Sequence, residues 1–230
     1  MSDRPVPVPE TCRAHYAVLT EQPLDREDHV PLPSEPLLRA HGTSQLAAAR
    51  VHRLPHQRVL HHEVPVADAA DAAVRLRREA LALAAEHGGQ VLELLPPRVL
   101  EAPADAVSLA HAAQWYVLDH AALLDGTLLT DGLDQFGLPA VRVRDVADAD
   151  RAMVSAVLAG LVHRLIAEWP GHDPVGEATV TLRDIAHGLG DAQADVTPVE
   201  RGITVRIDYD ADDHVLDVAV LQDPATTLFA

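Results

Sequence analysis

Gly202-Ile-Thr-Val-Arg-Ile-Asp-Tyr-Asp-Ala-Asp-Asp-His-Val-Leu-Asp-Val-Ala-Val-Leu221 alternates apolar and polar residues on both sides of an acidic break. Ile203, Val205 and Ile207 recur at every second position before the break, and Leu216, Val218 and Val220 after it. Successive strand side chains point to opposite faces, so this spacing predicts a hairpin from Gly202 to Tyr209 and His214 to Leu221 with one apolar face. Such a face needs cover. Upstream, Met153, Val154, Val157, Leu158, Leu161, Val162, Leu165, Ile166 and Trp169 recur at i, i+3, i+4 and i+7, which predicts an amphipathic helix. Asp148 or Asp150 starts it and Pro170-Gly171 stops it. Strand, helix and hairpin alternate without regular βαβ spacing, so the expected fold is α+β, with a mixed or mainly antiparallel sheet packed on two main amphipathic helices.

Towards the N-terminus, the second helix runs from Asp68 or Asp71 to about His87, its apolar side carrying Val74, Leu76, Ala80, Leu81, Leu83 and Ala84. Gly88-Gly89 ends it. His15 to Thr20, His61 to Val66, Gln90 to Leu95 and Gln114 to Leu118 read as strands, the second at a sheet edge because of Pro65. Pro96-Pro97 is expected to end the Gln90 strand. Leu37 to Val51 reads as a helix whose start His41-Gly42 leaves open, and Ala104 to Ala113 as a short helix. Gly126 to Thr130 is a candidate partner for the Gln114 strand. The Pro-rich residues 1–13 read as a flexible tail, followed by a single α+β domain over 14–230, with two similar halves, 14–102 and 103–230, as an open alternative.

Composition removes several chemistries. All 18 basic residues are arginine, the mark of a GC-rich bacterial genome. Without lysine there is no Schiff-base amine, P-loop lysine or kinase lysine, and no G-x-G-x-x-G turn is present. No cofactor is expected. A net charge of −17 argues against nucleic acid and against anionic membranes as partners. No run of about eighteen apolar residues exists, no export signal opens the chain, and Cys12 is the only cysteine. The expected location is the cytoplasm.

Charge is also unevenly spread. From Pro36 to His62 there is no acidic residue, while Arg39, Arg50, Arg53 and Arg58 stand among His41, His52, His56, His61 and His62. A window of that length at the chain's average composition holds about four acids. One reading is that the segment packs against the protein's own acidic surface or faces solvent. The other is an anion- or acid-binding surface that pairs with a second copy of the chain, since the arginine fork bonds two oxygens at once. Arg39, Arg50, Arg53, Arg58, His61 and His62 are the candidate binding residues.

The stretch Thr130-Asp-Gly-Leu-Asp-Gln-Phe-Gly-Leu-Pro-Ala-Val-Arg-Val143 resembles a segment of an uncharacterised family of bacterial α+β domains. Gly132, Leu133, Phe136, Gly137 and Pro139 match its Gly-Leu-x-x-Phe-Gly-x-Pro pattern, and Ala140 stands where the family has an acid. The resemblance implies a fold and no activity. Physically, Gly132 and Gly137 permit left-handed backbone, Phe136 plugs a core, and Pro139 fixes the start of a strand.

Catalytic signatures are thin. Asp208-Tyr-Asp-Ala-Asp-Asp213 resembles the opening of a calcium loop, but Asp213 occupies the glycine position and Ala219 the final glutamate position, so a solvated acidic turn is the better reading. His61-His62-Glu63 and Asp119-His120 lack a metal-binding partner at a recognised spacing, and no metal is expected. There is no G-x-S-x-G, and Cys12 lacks an electropositive surround. The expected function is a non-catalytic binding or protein-interaction module, self-associating as a homodimer through the Arg/His segment. The alternative is a small-molecule enzyme using a His/Asp pair or a histidine-bound metal.

Overall fold

The computed structural model describes residues 5–228. They form two compact units, Thr11–Val107 and a second one made of residues 5–10 and 108–228. The chain is α+β as expected.

In Thr11–Val107 the elements are β1 (Thr11–Thr20), α1 (Glu35–Ala40), α2 (Gln45–Val51), β2 (His56–Pro65), α3 (Ala69–Glu86), β3 (Gln90–Leu94) and β4 (Pro97–Leu100). The strands make an antiparallel sheet in the order β2-β1-β3-β4. The pleat sorts β1 cleanly. Tyr16 lies opposite Leu60 and Glu93 on the face that meets α3, where Ala73, Leu76, Arg77 and Ala80 are buried. Ala17 and Leu19 point the other way, into a cluster with Leu92, Val99, Leu38, Ala48 and Val51 that α1 and α2 close. Each fully buried leucine there contributes about 1.5–3 kcal/mol. With both faces of its inner half covered, β1 reads as an apolar run rather than an alternation.

Two expectations change here, and one strand is added. The helix over Leu37 to Val51 is two helices, because Gly42 turns left-handed at φ 83° and the Ser44 hydroxyl caps a new start by accepting from Ala47 N–H at 3.2 Å. The strand at His61 begins at His56, five residues earlier than its alternation indicated, and is at the sheet edge. The Gln90 strand ends at Leu94, before Pro96-Pro97, as expected, and Pro97 in addition opens β4; a proline is tolerated at the first position of a strand because its missing N–H need not join the ladder.

The second unit contains β5 (Val117–Leu118), α4 (His120–Leu124), β6 (Leu128–Asp131), β7 (Ala140–Val143), α5 (Arg151–Glu168), β8 (Gly176–Thr181), α6 (Leu182–Leu189), β9 (Gly202–Asp210), β10 (Val215–Val220) and α7 (Pro224–Leu228). Its sheet order is β5-β6-β7-β10-β9-β8, with β7 and β10 parallel and the other pairs antiparallel. The C-terminal hairpin has the expected register: Ile207 faces Val218 and Val205 faces Val220. Gly132 and Gly137 are left-handed, and Phe136 is buried edge-on against Trp115 at 5.4 Å.

Helix α5 differs from the one-sided helix its period predicted. Val154, Val157, Leu158, Ala159, Gly160, Leu161, Val162, Leu165 and Ile166 are all buried, because α6 packs on a second side. The two helices meet backbone to backbone. A Cβ on Gly188 would sit 2.3 Å from the Ala159 carbonyl oxygen, and one on Gly160 2.8 Å from the Ile185 nitrogen. The expected helix over Ala104 to Ala113 is only two single turns, Ala104–Ala106 and Ala112–Gln114. Between them the Ser108 carbonyl accepts from Gln114 Nε2 at 2.7 Å and Trp115 Nε1 at 2.8 Å, bonds a continuous helix would not leave room for. The expected strand at Gln114 shrinks to Val117–Leu118. Of the Pro-rich tail, residues 1–4 lie outside the described residues; Val6 is fully buried in this unit and its N–H donates to Asp173 Oδ2 at 3.4 Å. Thr11, Cys12 and Arg13 belong to β1.

Candidate functional site

The six candidate residues do not form one surface. Arg39 ends α1 and is exposed, and Arg53 is exposed just past α2. Arg50, at the end of α2, donates from Nη2 to Glu21 Oε1 at 3.2 Å and to the Gly88 carbonyl at 3.0 Å, so it holds the turn that follows α3. The other three lie on β2, and its pleat divides them. Arg58 and His62 lie opposite Val18 and Ala14 on the α3 face, whereas His61 lies opposite His15 on the other. The His15 and His61 rings stack at 6.0 Å. Burial first, and then Arg75, His15 and His61, lower the pKa of His62, whose Nε2 is buried with no hydrogen-bond partner.

Acids from outside the acid-free window meet several of its members. His56 Nδ1 is 2.6 Å from Glu27 Oε1, and Glu21 holds Arg50. Glu63, one residue past the window, accepts from Arg13 at 3.0 Å and from the Thr11 hydroxyl at 3.0 Å, contacts that lower its pKa.

The outer side of β2 is the informative feature. In an antiparallel strand, alternate residues aim both N–H and C=O at one neighbour. Asp28 N–H donates to the Gln57 carbonyl at 2.8 Å, and Val59 N–H donates to Asp28 Oδ2 at 2.9 Å, so the odd-numbered residues of β2 face away from β1. The loop at Asp28 covers this edge at Gln57 and Val59. Further along, the N–H and C=O of His61 and of Glu63 point outward with no partner among the described residues, beside exposed His61, Glu63 and Pro65 side chains. Other outermost strands are each covered at single groups. Val99 N–H of β4 donates to Thr43 Oγ1 at 3.0 Å, Arg164 Nη1 covers the Thr179 carbonyl of β8 at 2.6 Å, and β5 has two residues.

Other sequence candidates resolve into structural roles. Asp119 caps α4 through Oδ1, 2.8 Å from Ala122 N–H. The acidic turn Asp208 to Asp213 closes on a guanidinium: Arg142 of β7 bonds Asp217 at 2.6 Å, Asp213 at 2.6 Å and Asp210 at 3.0 Å. Those bonds, the one to Asp217 foremost, raise the pKa of Arg142. Cys12 is buried. Among the described residues no three His, Cys, Asp or Glu side chains are arranged to hold a metal ion, and no helix is long and apolar enough to cross a membrane. A cleft of about 430 Å³ beside Arg50, Leu81, Val91 and Leu100 and another of about 460 Å³ beside Val143, Asp150, Val154 and Val220 hold no histidine.

Two clusters were not readable from spacing. Glu93 is buried between Arg77 Nη2 at 2.5 Å and Arg98 Nε at 2.6 Å, and Arg77 Nε donates to the Tyr16 hydroxyl at 3.1 Å. Burial, with Glu93 beside it, pushes the Tyr16 pKa up to about 12. His163 of α5 stacks on His187 of α6 at 5.0 Å, and burial lowers its pKa. The only signals were an arginine on the apolar side of a helix and a glutamate inside an apolar strand. Comparison of the chain with protein-family models, with curated proteins and with solved structures finds no match.

Proposed function

We propose that the chain is a non-catalytic protein-interaction module that self-associates through the β2 side of the Thr11–Val107 unit. The observation that carries this reading is the uncovered stretch of β2 at His61 and Glu63, next to the part of the same edge that the Asp28 loop covers. An exposed row of unpaired N–H and C=O groups is a template for another strand, and proteins usually blunt it. Arg58, His61 and His62 are the candidate binding residues that lie on this strand. Arg39 and Arg53 sit on the α1–α2 layer outside the contact, and Arg50 is engaged at the end of α3. A cytoplasmic location belongs to the same proposal, as does the absence of a nucleic-acid partner in a chain of net charge −17.

The test is mass. Native mass spectrometry and light scattering at micromolar protein are expected to give twice the 24.7 kDa chain mass with nothing else bound. A monomer across the accessible concentration range, or a bound small molecule released on denaturation, overturns the reading.

A further inference from the structure

We infer that the partner is a second copy paired antiparallel to β2 about a two-fold axis at His62, so that His61 lies opposite Glu63 of the other copy; this rests on the self-association proposed above. The register follows from which groups are open. A two-fold pair of identical antiparallel strands is fixed by the residue on the axis. With His61 on the axis, Glu63 would meet Val59, whose N–H is already given to Asp28. With Glu63 on the axis, the two Glu63 carboxylates would face each other and His61 would meet Pro65, which has no N–H to return. With His62 on the axis, every outward N–H and C=O of His61 and Glu63 finds a partner.

Side chains agree with that register. Directly opposed residues share a face, so His61 meets the other copy's Glu63 on one side of the sheet. The row His15, His61, Glu63, Arg13 then continues across the axis with histidines next to carboxylates. On the α3 face, Leu60, 7 % exposed, meets half-buried Val64 on either side of the axis. Sterically, Val59 falls opposite Pro65 of the other copy, where β2 ends and a helical turn begins at Val66. The pairing therefore stops where the Asp28 loop begins, and neither copy has to move that loop.

The axis makes a covalent test possible. Opposed residues of a non-hydrogen-bonded antiparallel pair have Cα atoms about 4.5 Å apart, inside the range a disulfide spans. In a Cys12→Ser background, His62→Cys is expected to crosslink under mild oxidation into a dimer that runs at double mass without reductant. Leu60→Cys is the control: its copies lie about 14 Å apart in this register, from a strand rise of about 3.4 Å per residue, and stay unlinked. As an independent arm, Glu63→Pro removes an outward N–H from each copy without touching the β1 ladder and should weaken the dimer about ten- to a hundred-fold. Circular dichroism confirms that each variant is folded. A dimer that fails to crosslink through His62→Cys and survives Glu63→Pro overturns this register and leaves self-association standing. A wild-type monomer overturns both.

Discussion

Glu93→Leu is expected to cost the Thr11–Val107 unit about 3–5 kcal/mol, the range for removing one partner from a buried ion pair. The carboxylate side chain is 3 % exposed, and it holds Arg77, which is 2 % exposed. Deleting it takes a charged partner from a buried guanidinium of α3, which the Tyr16 hydroxyl still meets at 3.1 Å. Arg98 is 12 % exposed and can turn toward water, so most of the loss comes from Arg77. Arg77→Met should cost less, about 1–3 kcal/mol, because Glu93 keeps Arg98. The double variant removes the buried positive charge together with its counter-charge, so it should be no less stable than Glu93→Leu alone, a coupling of about 1–3 kcal/mol. Trp115 and Trp169 both lie in the other unit, so their fluorescence is the wrong reporter. Urea-dependent hydrogen exchange of peptides covering β1, α3 and β3 reads the right region. Additive losses, with the double variant weaker than either single one by their sum, would refute the assignment of a mutually dependent buried network.

Burial, the largest cause for each phenol, pushes the Tyr16 and Tyr116 pKa values up to about 12. Above pH 10 the unfolded chain releases these protons and the folded one keeps them, so stability should fall between about pH 10 and 12. Each tyrosine is worth about 3 kcal/mol there, and Tyr116→Phe should shrink the alkaline loss seen in urea titrations. Burial, the foremost cause in each, lowers the pKa of His62, His111 and His163, so the unfolded chain binds protons first as pH falls below about 6.5. Stability present above that pH should decline below it, and His163→Phe should flatten the decline; an unchanged slope refutes a role for His163. Gly188→Ala places a methyl 2.3 Å from the Ala159 carbonyl and should cost about 1–3 kcal/mol or more by forcing α6 off α5, despite alanine's better helix propensity. Trp115 and Trp169 fluorescence in urea would measure it.

Much of the fold was legible because its signals are local. The C-terminal hairpin, α3, α5 and the edge character of β2 follow from periods of two and 3.6 residues and from a single proline. β8 and α6 were missed although Thr181 and Asp184 form a capping box, Thr181 N–H donating to Asp184 Oδ2 at 2.8 Å and Asp184 N–H to Thr181 Oγ1 at 3.1 Å. The helix is only eight residues long, and Gly188, a poor helix former in its last turn, meets α5 through its backbone, a contact no apolar period reveals. The helix over Ala104 to Ala113 failed for the opposite reason: alanine favours a helix locally, and Trp115 and Gln114 hold the chain open from outside it.

The acid-free run from Pro36 to His62 shows where each kind of information ends. Its charge imbalance is a property of the sequence alone and survives any fold. Which of its members share a surface is not, because the pleat of β2 sends His61 and His62 to opposite faces and Arg50 bonds the carbonyl of Gly88, 38 residues later, in the turn after α3. The openness of the β2 edge at His61 and Glu63 is equally a tertiary fact. It depends on Asp28, a loop residue remote in sequence, reaching Gln57 and Val59 and no further. Periodicity is encoded within one segment, but a polar group's partner is set by whichever distant segment the fold brings within about 3 Å of it.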